Sequence, residues 1–268
     1  MTKIATLLTC FNRKEKTLQC LRGLSAQELP EGVVIEIVLV DDGSRDGTAE
    51  AVLAEFPGAR VIRGDGSLYW CGGMRKAWRE AAASDPDHYL LLNDDTLLLP
   101  GALRALLEIA GTPDSRVIAV AAIRDPHTGK AAYGGIRHKT GLVAAGGKLE
   151  TCNTFNANAV LVPRPVYREL GIFHETYTHG MGDFDYGYQA TRRGMHVIQS
   201  ADFLGECERN ALAGSWRDRS LSRATRWDIL RSPKGLPFRE WMTFNRRNAG
   251  WRWPLKTLSP YVRVILGL

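Results

Sequence analysis

The stretch YLLLNDDTLLLPG, residues 89–101, decides the fold of this chain. Its first four residues are apolar without alternation, which is typical of a short strand buried on both faces. Asn93, Asp94 and Asp95 follow that run directly. Because open α/β sheets bind ligands at the carboxyl ends of their strands, the stretch predicts a central strand that ends in a ligand site.

Two adjacent carboxylates repel each other and are costly to desolvate, so Asp94 and Asp95 need a neutralising partner. Mg²⁺ or Mn²⁺ would supply it, since both cations prefer oxygen ligands and bridge to substrate phosphates. A second interpretation of the same residues is a surface turn, in which an Asp caps a helix that begins at Pro100. Polar clusters elsewhere in the chain favour the metal interpretation.

The composition is that of an ordinary globular protein, with 44% hydrophobic and 24% charged residues. A length of 268 residues suits one large domain, or one domain with an appendage. No apolar run approaches the roughly 20 residues that span a bilayer, and the first residues lack the pattern of a signal peptide. We therefore expect a cytoplasmic location. The five cysteines are scattered without a CxxC pair, which argues against a disulfide framework and a zinc site.

The net charge of +6 is unevenly distributed along the chain. Residues 209–268 hold 13 Lys and Arg against three acids, a charge of +10, which leaves about −4 for residues 1–208. The same segment contains five of the seven tryptophans. These differences predict a main domain over residues 1–208 and a basic, tryptophan-rich extension over residues 209–268.

The extension suggests an anionic partner. Arg interleaved with Trp suits either a nucleic acid or a membrane interface. We expect an anionic membrane surface, with the protein peripheral at the inner face of the cell membrane, and no nucleic acid. The alternative is a helical appendage whose tryptophans pack on the main domain.

Strands and helices alternate along most of the main domain. Apolar, partly β-branched runs predict strands at residues 4–8, 33–40, 60–62, 89–92, 117–122 and 154–162. Helical patterns predict helices at residues 16–24, 48–56, 74–83, 103–109 and 166–170. A loop over residues 64–73 would carry Tyr69 and Trp70. This alternation implies an α/β fold with a mostly parallel sheet and helices on both faces.

Two common nucleotide-binding signatures are missing. No GxGxxG follows the first strand and no GxxxxGK[ST] occurs, which argues against a dinucleotide-binding Rossmann fold and a P-loop NTPase. Four other motifs lie at the ends of successive elements: TCFNR at 9–13, DDGSRDGT at 41–48, NDD at 93–95 and GDFDYGYQATRRG at 182–194. Their order resembles the family 2 glycosyltransferases of GT-A fold, over residues 4–198. The loop with Tyr69 and Trp70, the HGMGDFDYG stretch at 179–187 and the basic extension together look like those of bacterial surface-polysaccharide transferases, among which rhamnosyl transfer is common.

The resemblance implies a nucleotide-sugar site. Its residues here are Thr9, Phe11, Arg13, Asp42, Asp65, Asp94 and Trp70. The aromatic face of Phe11 suits a base, and ionised Asp42 can accept the ring N–H of uracil or thymine, which favours a UDP- or dTDP-linked donor. An Asx-turn is the alternative for Asp41 and Asp42. Trp70 suits stacking on a sugar ring, and a position in the core is its alternative.

The resemblance also implies a metal site. Asp95 matches the position that binds Mg²⁺ or Mn²⁺, whereas Asn93 stands where the related motif has its first acid. The metal would neutralise the leaving diphosphate as the glycosidic bond breaks. His179 is a second candidate, either as a metal ligand or as a contact to a donor phosphate, with a loop position as the alternative.

Asp183 matches the catalytic aspartate of the family, which would take a proton from the acceptor hydroxyl. Gly182 replaces the glutamate that usually precedes it. Asp185 is the runner-up base. Both acids would sit just before a helix whose later part carries Arg192 and Arg193, and acids there also suit the helix dipole without any catalytic role.

We therefore predict a metal-dependent, inverting glycosyltransferase. It would move a sugar, with rhamnose as a candidate, from a UDP- or dTDP-sugar to a growing, lipid-linked glycan. One alternative is a sugar-nucleotide nucleotidyltransferase, although TCFNRK lacks the glycines of a triphosphate loop. Another alternative is a non-enzymatic glycan- or nucleic-acid-binding protein. That interpretation does not explain the acidic clusters.

Overall fold

The computed structural model describes residues 1–268. The strands are β1 (Thr2–Cys10), β2 (Val33–Asp41), β3 (Arg60–Arg63), β4 (His88–Leu92), β5 (Leu97–Leu98), β6 (Val117–Arg124), β7 (Ala131–Tyr133), β8 (Gly135–Arg137), β9 (Gly141–Leu142), β10 (Glu150–Cys152), β11 (Thr154–Phe155), β12 (Ala159–Pro163) and β13 (His196–Glu206). The helices are α1 (Lys14–Ser25), α2 (Thr48–Glu55), α3 (Tyr69–Ala82), α4 (Ala102–Ala110), α5 (Arg164–Leu170), α6 (Gly182–Arg192), α7 (Arg223–Arg231), α8 (Phe238–Asn248) and α9 (Trp253–Leu266). A short 3-10 helix, Gly250–Arg252, leads into α9.

The apolar run at the centre of the sequence forms β4, in the middle of the main sheet. Leu90 and Leu92 belong to the core on one face of the sheet, and Tyr89 and Leu91 belong to the core on the other. All four side chains are fully buried. The run lacks polar alternation because neither face of β4 meets water, which confirms the prediction of a strand buried on both faces.

The main sheet has the order β10-β13-β6-β12-β4-β1-β2-β3, with β5 added to β13 and β7 to β6. The pairs β4–β1, β1–β2, β2–β3 and β6–β13 are parallel, whereas β12 is antiparallel to both of its neighbours. Helices α1, α2 and α4 cover one face, and α3, α5 and α6 cover the other. The expected mostly parallel α/β sheet is confirmed. The carboxyl ends of β1, β2 and β4 therefore lie side by side at one edge.

Two local predictions are wrong. Tyr69 and Trp70 belong to the first turn of α3, which begins at Tyr69 and continues through Gly72 and Gly73, so this stretch is not a loop. The strand expected over residues 154–162 is broken into two. β11 joins a separate three-stranded sheet with β8 and β9, whereas β12 enters the main sheet.

The longest strand, β13, has no counterpart among the predicted strands. Its sequence, HVIQSADFLGE, mixes polar and apolar residues without a clear period. Buried Gln199 accepts a hydrogen bond from Gly135 N at 2.7 Å and donates one to Val143 O at 3.2 Å. Hydrogen-bond partners from distant parts of the chain thus stabilise this polar residue in a buried strand.

Residues 209–268 form a helical extension with a small core of its own. Helices α7 and α9 bury Leu230, Tyr261 and Val264 against one another. Partly buried side chains complete this cluster: Trp216, Trp227, Leu236 and Trp241. These three tryptophans therefore contribute to a core within the extension. No helix of the chain is long and apolar enough to cross a bilayer.

A buried ion pair joins the extension to the main domain. Arg247 Nε in α8 lies 3.0 Å from both carboxylate oxygens of Asp185 in α6. Asn248 Nδ2 donates to Asp185 Oδ1 at 2.7 Å, and the Asp185 side chain is only 3% exposed. A buried charge is strongly unfavourable without its partner, so this contact fixes α8 on α6.

Replacing Arg247 with Met should lower the free energy of unfolding by about 3 kcal/mol, because Asp185 would become a buried charge without a partner. This is the lower end of the range for buried pairs, since Arg247 is itself partly exposed. Urea denaturation followed by circular dichroism measures the change. Arg239→Met, at an exposed base of the same helix, is the matched control and should stay within about 0.5 kcal/mol. If the two variants unfold at the same urea concentration, the Asp185–Arg247 ion pair does not stabilise the fold in this way.

Candidate active site

A cavity of about 450 Å³ opens where β1, β2 and β4 end. Its lining residues are Thr9, Cys10, Phe11, Arg13, Asp42, Gly66, Tyr69, Trp70, Asp94, His179 and Lys234. Seven of these residues are candidates from the sequence: Thr9, Phe11, Arg13, Asp42, Trp70, Asp94 and His179. Four further candidates from the sequence are not part of the wall: Asp65, Asp95, Asp183 and Asp185. The first three motifs of the sequence thus converge on one cavity.

Asp42 fixes the segment that closes one end of the cavity. Its Oδ1 accepts a hydrogen bond from Gly66 N at 3.0 Å, and its Oδ2 accepts one from Tyr69 N at 2.9 Å. The segment can approach this closely because residue 64 is glycine. A Cβ at Gly64 would lie 2.4 Å from Asp42 Oδ1 and 2.9 Å from Asp42 Cα. The orientation of the Asp42 carboxylate is therefore set by backbone groups.

Asp41 and Asp65 form turns beside the cavity. Asp41 Oδ1 accepts from Ser44 N at 2.8 Å, which is the Asx-turn considered for this position. Asp65 Oδ1 accepts from Ser67 N at 2.9 Å and from the Ser67 hydroxyl at 2.6 Å. Asp65 is exposed, and its contacts in the structure are those of a turn residue.

The first turn of α3 packs directly beneath the cavity. A Cβ at Gly73 would lie 2.1 Å from Thr9 Oγ1, so only glycine allows α3 to lie this close to the end of β1. Trp70 Nε1 donates to Asn93 Oδ1 at 2.8 Å, and the Trp70 ring lies 5.4 Å from the Phe173 ring. Trp70 therefore lines the cavity and packs on the core at the same time. Asn93, which replaces an acid of the related motif, holds Trp70 in place.

Arg13 neutralises the two carboxylates that follow β4. Its Nη1 lies 2.7 Å from Asp95 Oδ2 and 3.4 Å from Asp94 Oδ1. Burial raises the pKa of Asp94 to about 7, and the attraction of Arg13 opposes this rise only in part. Asp94 Oδ2 is buried without a hydrogen-bond partner. An additional cation at this point would satisfy that oxygen.

The acidic pair offers a metal ion two carboxylates from the protein. No group of three or more His, Cys, Asp and Glu side chains is arranged to hold a metal ion. Asp95 lies on the wall of a second cavity, of about 360 Å³, and Arg13 lines both cavities. Mg²⁺ commonly binds one or two carboxylates and completes its shell with substrate phosphates and water. The oxygen-only donor set and the unpartnered oxygen of Asp94 fit such a site.

His179 and Lys234 line the cavity beside Arg13. Burial, together with the nearby charges of Lys234 and Arg13, lowers the pKa of His179 to about 4. The imidazole is therefore neutral at pH 7, and its Nδ1 has no hydrogen-bond partner. Lys234 comes from the segment between α7 and α8, and it belongs to none of the sequence motifs. The excess of bases in the extension is the only signal that points toward it.

Asp183 lies in the first turn of α6, and not just before the helix as expected. Its Oδ2 accepts a hydrogen bond from Ala157 N at 3.1 Å, and its Oδ1 accepts one from Phe184 N at 2.9 Å. Burial raises the pKa of Asp183 to about 6, because these hydrogen bonds offset it only in part. A carboxyl group that titrates near neutrality suits proton transfer.

Gly182 is enclosed so tightly that the glutamate of the related motif has no room here. A Cβ at Gly182 would lie 2.7 Å from Cys71 Sγ. Cys71 anchors the same segment to α3, since its Sγ donates to His179 O at 3.2 Å and its backbone N donates to Thr178 O at 3.0 Å. The chain between His179 and Asp183 is therefore held against the start of α3.

The runner-up base, Asp185, is not brought to the cavity. It also belongs to the first turn of α6, but its carboxylate is engaged by Arg247 and Asn248 of α8. It lines a different, small cavity of about 100 Å³ together with Arg247. The structure thus gives Asp185 the role of joining the extension to the main domain.

Comparison with solved structures finds the same fold in a mannosyltransferase and in the protein TarS. The mannosyltransferase PcManGT from Pyrobaculum calidifontis, in complex with GDP-Man and Mn²⁺, matches with a TM-score of 0.61 at 14% identity, over 98% of this chain and 73% of that chain. TarS from S. aureus matches with a TM-score of 0.59 at 13% identity, over 98% of this chain and 43% of that chain. TarS 1-349 in complex with UDP-GlcNAc matches with a TM-score of 0.60 at 13% identity, over 100% of this chain and 73% of that chain. Identities this low show the fold alone.

A search of curated proteins gave no significant match. The family model described as "Glycosyl transferase family 2" matches residues 6–161, which is more than half of the chain. The matched region runs from β1 into β12 and contains the ends of β1, β2 and β4 that form the cavity. The resemblance drawn from the sequence is confirmed. The chain belongs to glycosyl transferase family 2 and is a glycosyltransferase of GT-A fold.

Proposed function

We propose that this glycosyltransferase moves a sugar from a UDP- or dTDP-linked donor to a hydroxyl group of a growing, lipid-linked glycan, with rhamnose as one candidate sugar. The observation that carries the proposal is the single cavity in which Asp42, Arg13 and Lys234 meet. Two structural relatives support a nucleotide-sugar donor, since PcManGT was solved with GDP-Man and TarS with UDP-GlcNAc, and only the second of these carries a pyrimidine base. The basic extension supports an acceptor that sits at a membrane.

The base of the donor would lie between Phe11 and Asp42. The Phe11 side chain is 52% exposed at the cavity, and it offers an apolar face that a pyrimidine ring would cover. Each Asp42 oxygen already accepts one backbone hydrogen bond and keeps a lone pair for another. Uracil and thymine both carry a ring N–H that such an acceptor recognises.

The diphosphate would lie near Arg13, Lys234 and His179. Hydrogen bonds from Arg and Lys to phosphate are charge-assisted and roughly twice as strong as neutral ones. An anion at this point would compensate the two cations that lower the pKa of His179. For the same reason, His179 suits a phosphate contact better than a metal ligand, because a metal ion would add a third positive charge.

A divalent cation, Mg²⁺ or Mn²⁺, would be held by Asp95 and by the unpartnered oxygen of Asp94. Bound there, it would neutralise the charge that develops on the leaving diphosphate. The Mn²⁺ in PcManGT supports this assignment. The donor itself would have to supply further ligands, because the chain has no third acidic or imidazole group at this point.

Asp183 would act as the general base. The oxygen of the acceptor hydroxyl attacks the anomeric carbon while the bond from that carbon to the diphosphate breaks, and the hydroxyl proton passes to the Asp183 carboxylate. Attack opposite the leaving group inverts the configuration at the anomeric carbon. The hydrogen bonds from Ala157 N and Phe184 N fix the carboxylate, so it needs little reorganisation during the reaction.

A panel of UDP-, dTDP- and GDP-sugars, with dTDP-rhamnose among them, tests the proposed donor class. The protein is incubated with each donor, a lipid-linked acceptor and Mn²⁺, and free nucleoside diphosphate is measured. We expect release of UDP or dTDP. Turnover of GDP-sugars alone would overturn the assignment of a pyrimidine donor, and turnover of water-soluble acceptors alone would overturn the lipid-linked acceptor.

Asp183→Asn should reduce kcat by about 10²- to 10⁴-fold, because the amide cannot accept the proton. Binding of the donor, measured by calorimetry, should stay unchanged. In the wild type, kcat/KM for the acceptor should fall about tenfold for each pH unit below about 6, since protonated Asp183 is inactive and ionised Asp183 is active. A rate that stays flat from pH 7 to pH 5 would argue against Asp183 as the base.

Asp95→Asn should remove the effect of Mn²⁺ on the affinity for UDP, because a neutral amide is a poor ligand for a hard cation. Calorimetric titration of UDP with and without Mn²⁺ measures this effect. Glu208→Gln, at an exposed carboxylate on the wall of the second cavity, is the matched control and should keep it. If Mn²⁺ strengthens UDP binding equally in both variants, Asp95 is not the ligand.

Lys234→Met should weaken UDP binding about tenfold or more, since a hydrogen bond to a charged group contributes about 1.5–3 kcal/mol. Binding of uridine, which has no phosphate, should not change. Arg239→Met provides a control at an exposed base of the extension outside the cavity wall. A loss of uridine affinity equal to the loss of UDP affinity would indicate that Lys234 shapes the base site and not the phosphate site.

A further inference from the structure

A row of large apolar side chains lies exposed along one side of α9 and the short helix before it. Its members, which we call the α9 stripe, are Trp251, Leu255, Leu258, Val262, Ile265 and Leu266. Each is between 47% and 79% exposed. The first five are spaced three or four residues apart, which places them on one face of a helix. Contiguous exposed apolar surface of this kind marks an interaction site.

The opposite side of α9 already has its partners. Thr257, Pro260, Tyr261 and Val264 are buried against the rest of the extension. Polar positions lie between the two faces, and among them Lys256 and Arg263 carry positive charge. Helix α9 therefore has a packed face, an exposed apolar face and a basic edge. A helix with an apolar face and a basic edge suits the interface of an anionic bilayer.

A cavity lined by arginines lies beside the end of α9. It measures about 410 Å³, and we call it the arginine cavity; its lining residues are Trp216, Arg217, Arg219, Arg226, Arg263 and Leu268. None of its four arginines takes part in an ion pair within 4 Å. The Asp218 side chain accepts instead from Gly214 N at 2.7 Å and Ser220 N at 2.9 Å. Four arginines in one cavity, none with an acidic side chain within 4 Å, favour a bound anion.

Two of these arginines are held in place. Arg226 is 3% exposed, and its guanidinium donates to Trp216 O at 2.9 Å and to Leu268 O at 2.6 Å. The Arg217 guanidinium lies over the Trp216 ring, 4.8 Å from its centroid. Preorganised guanidinium groups match the geometry of a phosphate group. The arginine cavity is therefore a built feature, and not a chance meeting of flexible surface chains.

We propose that the α9 stripe and the arginine cavity together form a docking surface for an anionic phospholipid membrane. The phosphate of a lipid headgroup occupies the arginine cavity, and the stripe enters the boundary between headgroups and acyl chains. Arg263 belongs to α9 and also lines the cavity, so the two features are continuous. Trp251 lies at the other end of the stripe, and the Arg252 guanidinium lies 5.2 Å from the centroid of its ring. Tryptophan and arginine side chains both suit the headgroup region of a bilayer.

Charge selects the membrane over the other occupants. A second copy of the chain would bring two extensions of +10 each against one another, which opposes association. A nucleic acid would satisfy the arginines but would leave the aliphatic side chains of the stripe in water. An anionic bilayer meets both requirements at once, since it offers phosphates and hydrocarbon side by side. The proposal is independent of sugar transfer, because vesicle binding is measured without donor or acceptor.

Flotation with vesicles of phosphatidylcholine, with and without phosphatidylglycerol, tests the proposal on the full chain. The wild type should float with the anionic vesicles at low salt and be released in large part at high salt. Two double variants carry the test: Leu258→Asp with Val262→Asp in the stripe, and Arg217→Glu with Arg219→Glu in the cavity. All four positions are exposed, so the fold should be retained. Each double variant should lower the vesicle partition coefficient about tenfold or more.

Matched controls separate docking from general charge and hydrophobicity. Leu53→Asp in α2 changes a side chain that is 47% exposed, as Val262 is, and Arg104→Glu in α4 reverses an exposed base. Both should float like the wild type. If a double variant lowers the melting temperature, the single variants Val262→Asp and Arg219→Glu replace it. Equal loss in controls and test variants would overturn the proposal.

Two further outcomes would also overturn it. Titration with inorganic phosphate asks whether the cavity serves soluble phosphate: if Arg217→Glu with Arg219→Glu abolishes phosphate binding but leaves vesicle binding intact, the cavity does not bind headgroups. Analytical ultracentrifugation asks whether a second copy covers the stripe. A wild-type dimer that becomes monomeric in the stripe variant, without vesicle binding in either, would assign the stripe to self-association.

Discussion

The rest of the site depends on one constraint, the negative charge of Asp94 and Asp95 directly after β4. Because β4 is buried on both faces, it delivers Asp94 and Asp95 to the edge of the sheet, where desolvation penalises the charge of Asp94. Arg13, which follows β1, and Lys234, from the extension, bring two cations to the same place. Two acids and two bases nearly balance, so a diphosphate would leave the site negative. Under the proposed function, a divalent cation bound with the donor would offset this negative charge.

Close backbone approach at three glycines gives the site its shape. A Cβ at Gly64, Gly73 or Gly182 would lie within 2.7 Å of a side-chain atom of Asp42, Thr9 or Cys71, respectively. These contacts bring the start of α3 and the 178–183 segment together under the cavity. Since no side chain fits at residue 182, an acid in that position would force α3 away from α6 and disturb Trp70 as well. The departure from the family motif is thus a consequence of packing.

The sequence predicts what depends on local pattern. An apolar run without alternation predicts that β4 is buried on both faces. Parallel strands that end at one edge of the sheet predict that Thr9, Asp42 and Asp94 lie close together. The sequence does not predict features that depend on contacts between residues far apart in the chain. Strand β13 is not predicted because a polar residue such as Gln199 is unfavourable in a buried strand without hydrogen-bond partners. Those partners, at residues 135 and 143, are known only from the fold.

Asp185 shows the same limit at the level of a single side chain. In sequence it is equivalent to Asp183, since both are acids in one helical turn of the same motif. What separates them is α8, which supplies Arg247 and Asn248 to one carboxylate and leaves the other to two backbone N–H groups. No local pattern in residues 182–194 contains that information, because α8 is placed by the fold as a whole.

The extension connects the cavity at the ends of β1, β2 and β4 to the surface that carries α9. Buried Glu240 of α8 accepts a hydrogen bond from Thr178 N at 2.9 Å, directly before His179. Lys234, just ahead of the same helix, lines the cavity itself. A shift of α8 would therefore move Lys234 and the segment that carries His179 together. Because α8 also packs against α9, a continuous packed path runs from the surface of α9 to the cavity that Lys234 lines.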